Sequence, residues 1–338
     1  MTTQTPDAQA AHSRLEHFPI TFFATTMGLG GFTLALRAAS SVLGLSPLFY
    51  KAALAVTALV FTLVVLGYGA KALRHPGAVR AEWHHPIRLS FFPTVSVSLL
   101  LLAIGLMTVS KPAALALWCL GAGLQGVLTI SVVTNWIGTR SFQHGHLNPA
   151  WFIPAVGNVI VPVAGAPLGF VELSWLFFSA GMIFWVVLLT LVFNRLVFHD
   201  PLPGRLQPTL VIMIAPPAVG FIAWLRLTAE PAMPGAVAAH AGVDPFGHIL
   251  LSLAYVFAAL VAVQIPRILR LPFAMSFWAL SFPLAALTIA SFLYAETAHS
   301  AFHANLGAAL LLLLGGLIAG LVARTLLGMI RGEICQPE

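Results

Sequence analysis

Charge is the scarcest feature of this sequence. Only 8% of its 338 residues are Asp, Glu, Lys or Arg, where soluble domains carry roughly a quarter. With 59% hydrophobic residues and a mean hydropathy of +0.95, the deficit excludes an ordinary soluble domain and predicts a polytopic integral membrane protein. Cysteine is nearly missing as well. Cys119 lies in an apolar run and Cys335 near the end of the chain, so no disulfide framework is implied. Residues 1–17 have no apolar h-region and do not read as a signal peptide. They are expected to form a cytoplasmic tail, with a short amphipathic piece from Ser13 to His17. No P-loop, dinucleotide fingerprint or nucleophile elbow is present. Enzyme activity therefore has no visible basis, and no cofactor is expected. The formal net charge of +6 does not point to nucleic acid, because the basic residues are scattered singly at segment ends.

What is abundant is apolar sequence in runs of bilayer length. A span needs about 20 mostly apolar residues. That rule gives ten: 18–36, 48–70, 89–109, 113–136, 150–167, 171–193, 208–227, 246–264, 272–294 and 304–327. The domain boundaries follow as a tail (1–17), a ten-helix transmembrane domain (18–328) and a short C-terminal tail (329–338). Basic residues test the count. Arg14, Lys71, Arg74, Arg80, Arg88, Arg140, Arg195, Arg205, Arg267, Arg270, Arg324 and Arg331 fall on the side of the two tails. Arg37, Lys51, Lys111 and Arg226 fall on the other. The positive-inside rule then puts both termini in the cytoplasm.

Proline marks a weak internal repeat. The odd spans carry it within or near them, at Pro19, Pro93, Pro154 with Pro162, Pro216 with Pro217, and Pro283. The even spans have it only at their starts (Pro47, Pro112, Pro245) or not at all. The chain thus reads as five helical hairpins, each a broken helix followed by a plain one. Interrupted helices in transporters line the pathway, so the odd helices are expected inside and the even ones outside. The plainer explanation is that proline is common in membrane helices. In the ninth span, Phe282-Pro283 reads as a mid-helix proline behind a bulky ring. Such a break is tolerated only against protein or a water-filled cavity. Phe282 is the expected plug of a pore.

Acidic residues keep to tails and span ends, at Glu82, Glu172, Asp200, Glu230, Asp244 and Glu296. That excludes an acidic ring for cations, and no buried carboxylate for proton coupling is expected. No basic residue lies mid-span. The combination favours rapid, weakly selective passage, because conducted ions must bind weakly enough to leave. Uncharged polar residues (Thr26, Ser96, Asn158, Thr209, Thr288) suit either anion coordination or bonds between helices. Gly28, Gly30, Gly31, Gly157, Gly165 and Gly220 fit either close packing or a lumen. His84-His85 and His144-Gly145-His146 have no zinc-type pattern beside them, so no metal is expected. Trp83, Trp136 and Trp151 read as interfacial anchors.

Several stretches together carry a resemblance. They are Phe18-Pro19 with Gly28-Leu29-Gly30-Gly31, His84-His85-Pro86 with Phe91-Phe92-Pro93, Asn148-Pro149-Ala150-Trp151-Phe152-Ile153-Pro154 with Gly157-Asn158, Gln207-Pro208-Thr209 with Ala215-Pro216-Pro217, and Trp278 with Ser281-Phe282-Pro283. The chain resembles the tellurite-resistance/dicarboxylate transporter family, which includes bacterial TehA and the slow-type anion channels of plant guard cells. The likeness runs from about residue 18 to residue 328. It implies an all-α membrane fold of five hairpins around a central quasi-fivefold pore, in a homotrimer with one pore per subunit. It also implies a phenylalanine in the ninth helix occluding that pore, which matches Phe282. Pro19, Gly30, Phe92, Pro93, Pro154, Asn158, Pro216, Pro217 and Pro283 are then expected to line the pore or kink its helices. The expected location is a bacterial inner (plasma) membrane.

The leading expectation is a passive channel for small monovalent anions such as chloride and nitrate. The alternative is a secondary carrier for C4-dicarboxylate, sulfite or tellurite-related anions. A third, from another class, is a membrane enzyme or a non-conducting scaffold. The plant channels have long phosphorylated tails. This sequence has only short ones, so kinase gating is not carried over.

Overall fold

The computed structural model describes residues 14–138, 142–229 and 243–336. The described residues are all helical or irregular. Eight helical segments are long and apolar enough to cross a membrane, so the chain is a multi-pass membrane protein. Arg140 and Glu230 lie outside the described residues.

The first helix, α1, runs Phe23–Leu43. α2 (Pro47–Arg74) follows, then the short α3 (Pro76–His84), α4 (Thr94–Leu106) and α5 (Lys111–Gly138). The middle of the chain holds two five-residue helices, α6 (Phe152–Val156) and α7 (Val161–Gly165), then α8 (Val171–Phe198). α9 (Ala215–Leu227), α10 (Pro245–Ala262), α11 (Ile265–Ile268), α12 (Ser281–Thr297) and α13 (Ala301–Ile330) complete the chain. α3 interrupts what reads as a plain loop in the sequence.

The long helices are of two kinds, and the sequence chemistry separates them. α2, α5, α8, α10 and α13 start cleanly. Pro47 and Pro245 occupy their first turns, where a missing N–H costs nothing. The side chains of Ser46, Asp244 and Ser300 cap the exposed amides. In these helices only 17–33% of the apolar window is buried. Their outward Leu59, Leu63, Leu66, Ile130, Ile183 and Leu312 are exposed, as a lipid-facing surface requires.

The segments Arg88–Leu106, Gly204–Leu227 and Met275–Thr297 are 78% buried. Each opens as a 3-10 helix and becomes α-helical at or beside a proline: Pro93 directly before α4, Pro216 and Pro217 in the first turn of α9, Pro283 in the first turn of α12. Pro19 precedes a 3-10 turn, Ile20–Phe22, that leads into α1. Between α6 and α7 the 3-10 piece Gly157–Ile160 hands over to Pro162. Pro283 therefore lies inside the continuous helical segment Met275–Thr297, just past the point where 3-10 winding gives way to α.

The buried segments touch in order. α1 packs on α4, α4 on α7, α7 on α9, α9 on α12, and α12 back on α1. Buried polar side chains tie them to the exposed helices: Thr33 to Thr57 at 3.0 Å, Ser96 to Gln125 at 2.7 Å, Tyr255 to Ser291 at 2.8 Å and Trp278 to Thr325 at 2.9 Å. Such bonds contribute about 0.6 kcal/mol each in membrane bundles. Arg14 lies beside Gly332, so the beginning and end of the described chain meet at one end of the bundle, here called proximal.

Candidate functional site

Two cavities lie on the inner face of the five buried segments. The distal one, about 130 Å³, takes Leu34 and Arg37 from α1, Leu101 and Ile104 from α4, Val163 from α7, Ile222 and Arg226 from α9, and Ala286, Ile289 and Glu296 from α12. The proximal one, about 40 Å³, is lined by Met27, Val97, Phe152, Ile153, Val156, Gly157, Ile212, Ala215, Pro216 and Pro283. Every lining side chain of the proximal cavity is apolar. Ile160, Val219 and Phe282 line both.

Phe282 is therefore the bulkiest group shared by the two spaces, and it is 8% exposed. Its place is set from both sides. Pro283 follows it in the first turn of α12. Across from it, Gly31 of α1 has no side chain, and a Cβ there would stand 2.8 Å from the Ala285 Cβ and 3.3 Å from the Phe282 Cδ2. Gly28, one turn earlier, is pressed as closely by Ser281 and Trp278. These contacts let α1 and α12 approach closely where the ring borders both cavities.

The remaining expected site residues fall into two groups. Pro216 and Pro283 line the proximal cavity. Pro19, Gly30, Phe92, Pro93, Pro154, Asn158 and Pro217 line neither. Gly30 packs on Leu101. Phe92 sits edge-on to Tyr68 and Trp83. The Pro154 carbonyl accepts bonds from Gln125 and Thr129. Asn158 donates to the Ala155 carbonyl and accepts from Thr129. The hydroxyls of Thr26, Ser96, Thr209 and Thr288 are likewise spent on neighbouring helix atoms. Among the described residues no group of His, Cys, Asp and Glu is placed to hold a metal. Trp151 is buried and stacked on Trp136 at 4.4 Å, which corrects its reading as an interfacial anchor.

A second correction concerns charge. Glu82 is a buried carboxylate, 2% exposed, where none was expected. α3 folds it under the start of α1. There it pairs with Lys71 at 3.0 Å and with Arg88 at 3.8 Å. It also accepts from the Tyr68 hydroxyl at 2.8 Å and the Ile20 amide at 3.3 Å. Lys71, equally buried, donates to the Phe18 carbonyl at 2.9 Å. Glu82 lines neither cavity, so the cluster clamps the proximal ends of α1 and α2. The sequence reading also missed that Arg37, Arg226 and Glu296 converge on one cavity. Each sits near the distal end of a different segment, a periodicity the sequence shows only once the segments are stacked.

The bundle of apolar helices, with two cavities among its buried segments, fits a membrane protein of the channel and transporter class. A family model described as SLAC1, voltage-dependent anion channel, matches residues 17–326, and the chain belongs to that family. It is 26% identical to the uncharacterized transporter MJ0762 of Methanocaldococcus jannaschii over 80% of this chain and 83% of that one. It is 26% identical to the tellurite resistance protein TehA homolog of Haemophilus influenzae, over 85% and 82%. Against the guard cell S-type anion channel SLAC1 of Arabidopsis thaliana it is 25% identical over 83% of this chain and 50% of the plant protein.

Proposed function

We propose that the chain is a passive channel for small monovalent anions such as chloride and nitrate, closed by the ring of Phe282. The observation that carries this is the position of that ring between two cavities that all five buried segments line. In this reading the chain crosses the bilayer ten times, as five hairpins around a quasi-fivefold pore. The two crossings beyond the eight long apolar segments are α1 and the stretch Pro149–Gly165. α1 has 21 residues and spans about 31 Å at 1.5 Å per residue. Pro149–Gly165 is shorter, but its 3-10 pieces rise about 2.0 Å per residue, which stretches it toward the ~30 Å hydrocarbon thickness. The subunit assembles as a homotrimer with separate pores, and mild-detergent and nanodisc masses of a monomer or dimer would count against that.

Planar-bilayer currents of wild type, Phe282→Leu and Phe282→Ala, each normalised to folded protein and run through an anion-replacement series, test the gate. Conductance rises several-fold in Phe282→Ala, with Phe282→Leu between. A ring that only packs the core would instead lower stability by about 3–5 kcal/mol on truncation and open nothing. Equal currents in all three mean the ring is not the gate. Uptake in liposomes that follows the proton motive force would move the protein to the carrier class.

A further inference from the structure

The distal cavity holds three charged side chains that gating by Phe282 does not use. Arg37 lines it from α1, Arg226 from α9 and Glu296 from α12. The Arg37 guanidinium donates to the Ile104 carbonyl at 2.7 Å, near the end of α4. Ile104 lines the same cavity, so this bond holds the guanidinium against the wall and uses one of its five N–H donors. Arg226 lies within electrostatic range of both Arg37 and Glu296. Two guanidiniums thus share one space with a single carboxylate. Like charges so placed repel unless counter-ions lie between them, and among the described residues that line the cavity only Glu296 is acidic.

We propose that Arg37 and Arg226 form a binding station for one small monovalent anion in the distal cavity, with Glu296 as a tethered competitor for Arg226. The competitor keeps occupancy brief. A fixed carboxylate already neutralises part of the field, so an entering ion binds well enough to be drawn from solution and weakly enough to pass on. A dianion would have to displace or repel Glu296, so the station discriminates against divalent anions. Its role as a waystation rests on the channel reading, while its occupancy does not.

Two measurements separate these. Crystals of the detergent-solubilised protein soaked in iodide report occupancy by anomalous scattering. The expected peak lies between the two guanidiniums and is lost in Arg37→Gln/Arg226→Gln. Chloride concentration–conductance curves, recorded in the Phe282→Ala background, report use. Arg226→Gln raises the half-saturating chloride about two- to fivefold, the span expected for a part-exposed ion pair, and Glu296→Gln lowers it. Arg37→Gln also loses the bond to Ile104, so Arg226→Gln, on an exposed side chain, is the decisive single variant. No iodide peak in wild type overturns the station. So does a half-saturating concentration unmoved by both Arg226→Gln and Glu296→Gln. If no variant conducts but the iodide peak is present, the channel reading fails and the station stands.

Discussion

At the scale of single residues, the sequence was informative where chemistry is local and silent where it is tertiary. Phe282 stands out in the sequence because an aromatic beside a proline in an uncharged run is unusual, and the structure places its ring against both cavities. Glu82 does not stand out, because its place near a span end says nothing of α3 folding back to bury it. Its burial makes a prediction. Removing one partner of a buried ion pair typically costs about 3–5 kcal/mol, because the other charge is left without compensation. Glu82→Gln therefore lowers the thermal midpoint of the purified protein, and so does Lys71→Met. The double variant, which removes both charges, loses less than the sum of the two. Thermal unfolding followed by size-exclusion chromatography of all three measures this. Strict additivity would mean the pair is not coupled.

At the scale of helices, the odd and even pattern of prolines was readable in the sequence, and it divides buried segments from exposed ones. The 3-10 openings were not readable, because hydropathy and proline position do not report winding. They change what proline substitution should do. Pro283 stands just past the change from 3-10 to α winding inside one helical segment, so Pro283→Ala returns an N–H to a turn that has carbonyls in reach. Its thermal stability is expected to change by less than about 1 kcal/mol. Gly31 carries the opposite expectation. A methyl group there meets Ala285 at 2.8 Å and forces α1 from α12. Overpacking of this kind costs about 1–3 kcal/mol. Gly316, in the middle of the exposed α13, has nothing within 4 Å of a Cβ. Gly316→Ala should stabilise by up to about 1 kcal/mol through helix propensity alone. Thermal midpoints of Gly31→Ala and Gly316→Ala that move in the same direction would contradict the close approach of α1 and α12.

At the scale of the whole molecule, two independent lines bear on orientation. One is the scatter of basic residues, twelve on the side of the tails and four on the other by the ten-span count. The other is the contact of Arg14 with Gly332, which brings the ends of the described chain together. An even number of crossings is the simplest arrangement that satisfies both. Positive residues in short loops stay on the cytoplasmic side, so we predict that both termini face the cytoplasm. The native thiols complicate labelling. Cys335 lies close to the C-terminus, and burial pushes its thiol pKa up, with Arg14 and Lys71 pulling the other way. A raised value means less thiolate at neutral pH and therefore slow alkylation. Cys335 is thus a poor reporter in the native chain, and its labelling should speed up as the pH is raised. The test uses a background lacking both native cysteines, Cys119→Ser with Cys335→Ser, into which Gln4→Cys or Gln336→Cys is placed. In sealed cells an impermeant maleimide should leave both positions unmodified, and permeabilisation should expose both. Modification of either from outside in intact cells would overturn the orientation. Modification of only one would overturn the even number of crossings as well.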